Sequence, residues 1–258
     1  MILDANANLG NWPFRRMIYN DPEGLLERLG RVEIDRAWVV SLEAVMYKDV
    51  HAANAPLAEM VADYPALMPI ATINPEFPAW QGDLAECVQE LGFRGVRAYP
   101  NYHGYALDDP IADDLLALAD DLDIFVQVAV RMTDERHHHA LCMVPPVDLG
   151  PLPELAAKYP KLPIMVVNGK NTDLMPLIEP TQGMENLFFE MSHIEGTGGL
   201  EELGRRLGLE RIVFGTHAPY YYPESAILKV TRECEFTDEE QQAILHANAD
   251  RLLAASGG

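Results

Sequence analysis

The sequence predicts one α/β domain over residues 1–258, folded as a (β/α)8 barrel. Three observations predict it. Eight short apolar or β-branched runs recur along the chain, and helical patterns separate most of them. The runs are near-continuously apolar, as parallel strands covered on both faces require. A length of 258 residues also suits a barrel of this class, which commonly takes about 250. Eight strands alternating with helices favour closure over a doubly wound open sheet.

In chain order the strands are expected at residues 2–6, 37–42, 68–74, 95–99, 124–130, 164–168, 187–192 and 211–216. Leu84, Val88 and Leu91 form a helical stripe after the third strand. Asp109-Pro110 offers an N-cap and first-turn proline before Ile111, Leu115, Leu118 and Leu122. Thr237-Asp238-Glu239-Glu240 reads as a capping box before Ile244, Leu245 and Leu252. The longest irregular stretch, residues 131–147, is long for a βα loop and reads as a lid. No linker or low-complexity run divides the chain.

Composition excludes several functions. A net charge of −21 repels phosphate backbones, so no nucleic-acid partner is expected. Apolar runs fall far short of the ~20 residues that span a membrane, so no membrane partner is expected either. Met1 leads directly into a strand without a signal peptide. Cys87, Cys142 and Cys234 are odd in number and lack C-x-x-C spacing, which fits a reduced cytoplasmic protein. The expected partner is a small-molecule substrate. Tyr220-Tyr221-Tyr222 would form a pocket wall or a contact in a homo-oligomer.

Catalytic groups of a parallel barrel sit at the C-terminal ends of its strands. That rule selects Asn6, Asn8, Ser41, Glu43, Asn74, Arg97, Tyr99, Gln127, Arg131, Asn168, Glu190, His193 and His217. Buried amides need partners, and a substrate rich in hydroxyl or carboxylate oxygens would supply them. The planar fork of Arg97 suits a carboxylate; the plainer alternative is a salt bridge to Glu43 or Glu190. His217 is an imidazole with an ordinary pKa near neutrality, available as acid or base, or else a neutral ring bonded to neighbouring asparagines. His193 is a second candidate. His137 and His139 of the run His137-His138-His139 would face the mouth together if the segment is extended.

Four segments resemble the amidohydrolase-related branch of the amidohydrolase superfamily. They are Ile2-Leu3-Asp4-Ala5-Asn6-Ala7-Asn8, the stretch from Tyr159-Pro160-Lys161-Leu162-Pro163 to Asn168-Gly169, Phe214-Gly215-Thr216-His217-Ala218-Pro219, and Asn248-Ala249-Asp250-Arg251-Leu252-Leu253. The resemblance implies a TIM barrel whose mouth holds a divalent metal on histidines of the first, fifth and sixth strands and an aspartate of the eighth. Carried over residue by residue, the first-strand pair becomes Asn6 and Asn8. The sixth-strand ligand becomes Asn168 and the eighth-strand aspartate becomes His217, while the fifth-strand position falls near Gln127 or Ala129.

Neutral amides are poor ligands for zinc, so no cofactor and no metal ligands are expected. The resemblance then implies a hydrolase or lyase acting on a small polar organic acid, lactone or sugar derivative. In it His217 is general acid or base, Arg97 anchors an anion, and the asparagines orient oxygens. The alternatives are a non-catalytic ligand-binding relative, and a metal hydrolase with ligands relocated among His137, His139, His193 and His217.

Overall fold

The computed structural model describes residues 1–257. Its strands are β1 (Leu3–Leu9), β2 (Arg36–Ser41), β3 (Leu67–Pro69), β4 (Ala71–Thr72), β5 (Gly95–Ala98), β6 (Phe125–Ala129), β7 (Ile164–Val167), β8 (Leu187–Glu190) and β9 (Ile212–Val213). Every ladder is parallel. They run in the orders β1-β2-β3 and β4-β5-β6-β7-β8-β9, and together they make the (β/α)8 barrel.

Two seams interrupt the ring. The expected third strand is split into β3 and β4, because Pro69 has no N–H to give and Ile70 instead donates to the Val39 carbonyl at 2.8 Å. Beyond it, the Asn54 side chain takes the place of a neighbouring strand. Its oxygen accepts from Thr72 N and its amide donates to Thr72 O, both at 2.9 Å. At the second seam β9 is shorter than the expected 211–216. Here β1 joins the segment after β9 through Ala5 N–H to Phe214 O (3.0 Å) and Asn8 N–H to Ala218 O (2.8 Å). The buried Asp4 carboxylate bridges the same gap, accepting from Thr216 N at 2.9 Å and Thr216 Oγ1 at 2.5 Å.

Strand side chains alternate between two apolar layers. In β6, Val126 and Val128 pack outward on the helices, while Phe125 and Ala129 fill the barrel with Trp38, Met165, Phe188 and Val213. β1 breaks this alternation. Leu3 and Ala5 belong to the inner layer, but Ala7 and Leu9 belong to the outer one, and the pairing register shifts between Asp4 and Ala7. This bulge turns Asn6 and Asn8 into the barrel.

Helix signals read from the sequence hold in part. Thr237 and Glu240 form the expected capping box. Pro110 opens the helix Pro110–Asp121, but the Asp109 carboxylate accepts from Ala106 N, folding the preceding turn instead of capping the helix. Among the described residues no helix is long and apolar enough to cross a membrane.

Candidate functional site

Three polar clusters meet at the C-terminal ends of the strands. The first centres on Glu190, which ends β8. Its Oε2 accepts from Asn6 Nδ2 at 2.8 Å, Ser192 Oγ at 2.9 Å and Asn168 N at 3.2 Å, and its Oε1 accepts from Ser192 N at 2.5 Å. Asn6 Nδ2 also donates to Asn168 Oδ1 at 2.7 Å. Burial raises the Glu190 pKa above the ordinary carboxylate range, partly opposed by these hydrogen bonds. Gly215 makes the space, since a Cβ there would lie 2.4 Å from Glu190 Oε1. Asn168 adopts φ +61°, a left-handed conformation that asparagine tolerates better than most residues.

The second cluster is built on β5 and β6. Arg97 is wholly buried, and its Nε donates to Gln127 Oε1 at 2.6 Å, while Gln127 Nε2 donates to the Ala5 carbonyl at 3.1 Å. Both Nη atoms of Arg97 lack partners, as does the buried Tyr99 hydroxyl, on which the Arg97 charge acts. The expected alternative of a salt bridge from Arg97 to Glu43 or Glu190 does not form among the described residues. Glu43 instead accepts from Asn11 N at 2.7 Å and from Ser41 Oγ at 3.1 Å, at the rim. Asn6 Oδ1 and Asn8 Oδ1 are also buried and unpartnered.

The third cluster holds the histidines. His217 is fully buried at φ +54°, and its Nε2–H donates to the Met132 carbonyl at 2.7 Å. Its other nitrogen lies 3.5 Å from Asn8 Nδ2, which also donates to Ala218 O at 2.9 Å. The ring stacks on Tyr220, with centroids 4.8 Å apart. Burial lowers the His217 pKa to about 3, so the ordinary near-neutral titration expected of it is corrected. It is a neutral imidazole whose Nδ1 lone pair faces the Asn8 amide. His193 sits 5.1 Å from it, ring to ring, and burial likewise holds its pKa well below the usual value. Its Nδ1 is 3.0 Å from Ser192 Oγ and its Nε2 is 3.1 Å from the Tyr221 hydroxyl.

Above these groups lies a cavity of about 60 Å³, walled by Trp12, Tyr102, Tyr220 and Tyr221 and roofed by His137, His138 and His139. His139 stacks on Phe14 at 5.0 Å. His137, His138 and His139 all line this cavity, so the run does not show the alternation of an extended segment, and Glu135–His137 is a short 3-10 turn. Arg131 ties this roof down: it binds Asp173 in two-pronged fashion (2.5 and 3.1 Å), Glu135 at 3.1 Å and the Asn168 carbonyl at 3.1 Å. Sequence reasoning missed Asp4, Ser192 and the aromatic wall of Trp12 and Tyr102. Ser192 had a signal, standing between Glu190 and His193; Trp12 had none, because its partners lie far along the chain.

These polar side chains stand at strand ends beneath a long loop, the place where barrels of this class carry their sites. The chain belongs to the amidohydrolase family, whose model matches residues 4–254. Similar solved structures include a dihydroxybenzoic acid decarboxylase from a Polaromonas species with bound manganese and an inhibitor (16% identity, 98% and 96% of the two chains, TM-score 0.77). Another is the 5-carboxyvanillate decarboxylase of Novosphingobium aromaticivorans, also with bound manganese (16% identity, 89% and 80%, TM-score 0.69). A third is a probable 2-pyrone-4,6-dicarboxylic acid hydrolase of Acinetobacter baumannii (14% identity, 98% and 99%, TM-score 0.69). At these identities the likeness carries the fold. No curated protein matches the sequence.

The expectation of no cofactor is overturned by the two manganese-bound structures: a divalent metal belongs among the groups this fold holds. The positions that the resemblance assigns to ligands are nevertheless occupied by Asn6, Asn8, Asn168 and His217. No group of three or more His, Cys, Asp or Glu side chains is placed to hold an ion among the described residues. That also removes the set of relocated ligands imagined among His137, His139, His193 and His217. The donors present do not make an imidazole–carboxylate centre.

Proposed function

We propose that the chain is a hydrolase or lyase acting on a small polar organic acid, or on a lactone or sugar derivative of one. The observation that carries this reading is Arg97, a buried cation whose Nη donors are unpartnered at the strand ends. A buried guanidinium left unsatisfied is costly, and a carboxylate would supply both missing acceptors in one plane. The decarboxylases and the dicarboxylic acid hydrolase with the same fold act on carboxylates, which supports the reading by analogy.

In this proposal Arg97 and Tyr99 hold the carboxylate, with Gln127 fixing the guanidinium plane. Asn6, Asn8 and Asn168 orient the remaining oxygens. His217 turns its neutral Nδ1 lone pair from Asn8 to a substrate or water O–H, and burial of Glu190, which raises its pKa, favours its protonated form. His137 and His139 close the cavity over the bound molecule.

One observation favours a ligand-binding relative without turnover: His217 is too weak a base to be charged at neutral pH. A panel of hydroxybenzoates, cyclic dicarboxylates and lactones separates the two readings. Calorimetry and product analysis, with and without manganese, should find a carboxylate that binds the wild type and is converted. Arg97→Met should weaken its binding by about 2 kcal/mol, the scale of a charged hydrogen bond. Binding without conversion would favour the ligand-binding relative, and an absence of carboxylate binding across the panel would overturn both.

A further inference from the structure

Glu190 is sealed from solvent, yet one path of hydrogen bonds leads out from it. Ser192 Oγ donates to Glu190 Oε2 at 2.9 Å. With its hydrogen so committed, Ser192 Oγ can only accept from His193, 3.0 Å away, so Nδ1 carries the ring proton. His193 Nε2 is then a lone pair, and it accepts from the Tyr221 hydroxyl at 3.1 Å. All three bonds point inward, from Tyr221 to Glu190.

Tyr221 is half-buried and stands where two cavities meet. One is the mouth cavity; the other is a surface cavity of about 640 Å³ shared with Ser192, Ser225, Lys229 and Glu233, of which Ser225 and Glu233 are exposed. Lys229 steadies the inner part of the path, because its Nζ donates to the carbonyls of Met191 (3.2 Å), Ser192 (3.2 Å) and Ile194 (2.7 Å).

We propose that Tyr221, His193 and Ser192 form a proton relay that connects the buried Glu190 carboxylate with solvent. The step balances. A proton from a hydronium ion, which leaves as water, binds Tyr221 Oη as the tyrosine's own proton passes to His193 Nε2. The Nδ1 proton passes to Ser192 Oγ, and the serine proton passes to Glu190 Oε2. One proton enters, Glu190 becomes a neutral carboxyl, and the three relay groups stay uncharged with their hydrogen bonds reversed. Withdrawal along the same bonds restores the original sense.

A neutral ring with one donor and one acceptor nitrogen is what a relay needs, and burial keeps His193 neutral. Nearby positive groups, Arg131, Lys170 and Lys229, also disfavour its charged form. His217 cannot replace it, since its Nε2–H is spent on Met132 O. Use of the relay in turnover rests on the function proposed above. Proton delivery to Glu190 does not, and it can be measured without a substrate.

The test is time-resolved infrared spectroscopy of the intact protein after a mild acid jump. The carbonyl band of protonated Glu190 is assigned by its loss in Glu190→Gln. Tyr221→Phe and Ser192→Ala should each slow the appearance of this band at least about tenfold, a 1.4 kcal/mol rise in barrier. Ser192→Thr, which keeps the hydroxyl, should stay near the wild-type rate. Circular dichroism checks the fold of each variant, and should Ser192→Ala fail to fold, Tyr221→Phe at the half-buried end decides alone. A Glu190 band that rises at the wild-type rate in folded Tyr221→Phe would overturn the relay, because the proton would then enter by another route.

Discussion

Asn6 and Glu190 lie 184 residues apart in sequence and are joined by a 2.8 Å hydrogen bond inside the barrel. The amide gives its second hydrogen to Asn168 at 2.7 Å, so one side chain couples the first strand to the ends of the seventh and eighth wall segments. An imidazole or carboxylate at residue 6 could not make both donations in its usual neutral or ionised form.

Removing this amide should therefore cost more than an exposed asparagine would. Asn6→Ala leaves Glu190 and Asn168 each short of a buried donor, and a loss of about 1–3 kcal/mol per unsatisfied group is expected. Urea unfolding of Asn6→Ala against Asn11→Ala, an exposed-loop control whose side chain donates to Glu43 Oε1, would measure it. A difference under about 0.5 kcal/mol would contradict the coupling.

Gly215→Ala tests the packing around Glu190 directly. Its new Cβ meets Glu190 Oε1 at 2.4 Å and Cγ at 2.6 Å, so the carboxyl must move. Overpacking of this kind costs about 1–3 kcal/mol. Gly82→Ala, in a helix with open space around it, should instead gain up to about 1 kcal/mol. Thermal denaturation of the two variants side by side checks both signs.

The buried histidines set an acid limb to stability. Folded His217 and His103 have pKa values lowered to about 3 and about 4. The unfolded chain, with ordinary values near 6.5, therefore binds more protons between those limits. Stability should be present above about pH 6.5 and fall as pH drops toward 3. His217→Asn should flatten this limb, which urea titrations across the interval would reveal. Glu190 acts in the opposite sense. Its raised pKa makes its contribution greatest below the ordinary carboxylate value and progressively lost as pH rises through the folded pKa.

On a confirmed substrate, His217→Asn should preserve binding and lower kcat by about 10²–10⁴, the range that proton transfer by a positioned side chain supplies. Because the folded pKa is about 3, the wild-type kcat profile should show no limb near pH 6.5 arising from this ring. Full turnover in the variant would shift the role to His193.

The loop roof should open when its anchor goes. Arg131→Met removes the two-pronged bond to Asp173 and the contact to the Asn168 carbonyl. Breaking a buried pair from one side costs about 3 kcal/mol. Limited proteolysis should then cut within residues 131–147 faster than in the wild type, with the barrel left intact.

The strand positions were legible because burial on both faces leaves a simple apolar signature, and Thr237 with Glu240 was legible because a capping box is local. Pro69 marked the break between β3 and β4 locally, but the bridging of Thr72 by Asn54 was not legible, since Asn54 reaches it from another segment. The polar residues of the mouth could be chosen from strand ends, yet their states could not. His217 looks titratable in sequence, and only its enclosure by Met132, Asn8 and Tyr220 makes it neutral. Arg97 was read as either an anchor or an ion pair, and the barrel's interior removes the ion pair, because neither Glu43 nor Glu190 reaches the guanidinium.

The two seams have a mechanical consequence. Round most of the circumference, backbone bonds bind strand to strand, but between β3 and β4 and between β9 and β1 side chains of Asn54 and Asp4 bear much of the connection. From β4 to β9 the ladder is continuous, whereas β1 meets the segment after β9 through two backbone bonds and the Asp4 carboxylate. Asn6 and Asn8 sit on β1, and their partners Glu190, Asn168 and His217 lie across this second seam. Asp4 and Asn54 thus form the footing of the mouth on its two sides: Asp4 holds Thr216 beside His217, and Asn54 holds Thr72, the register partner of Arg97.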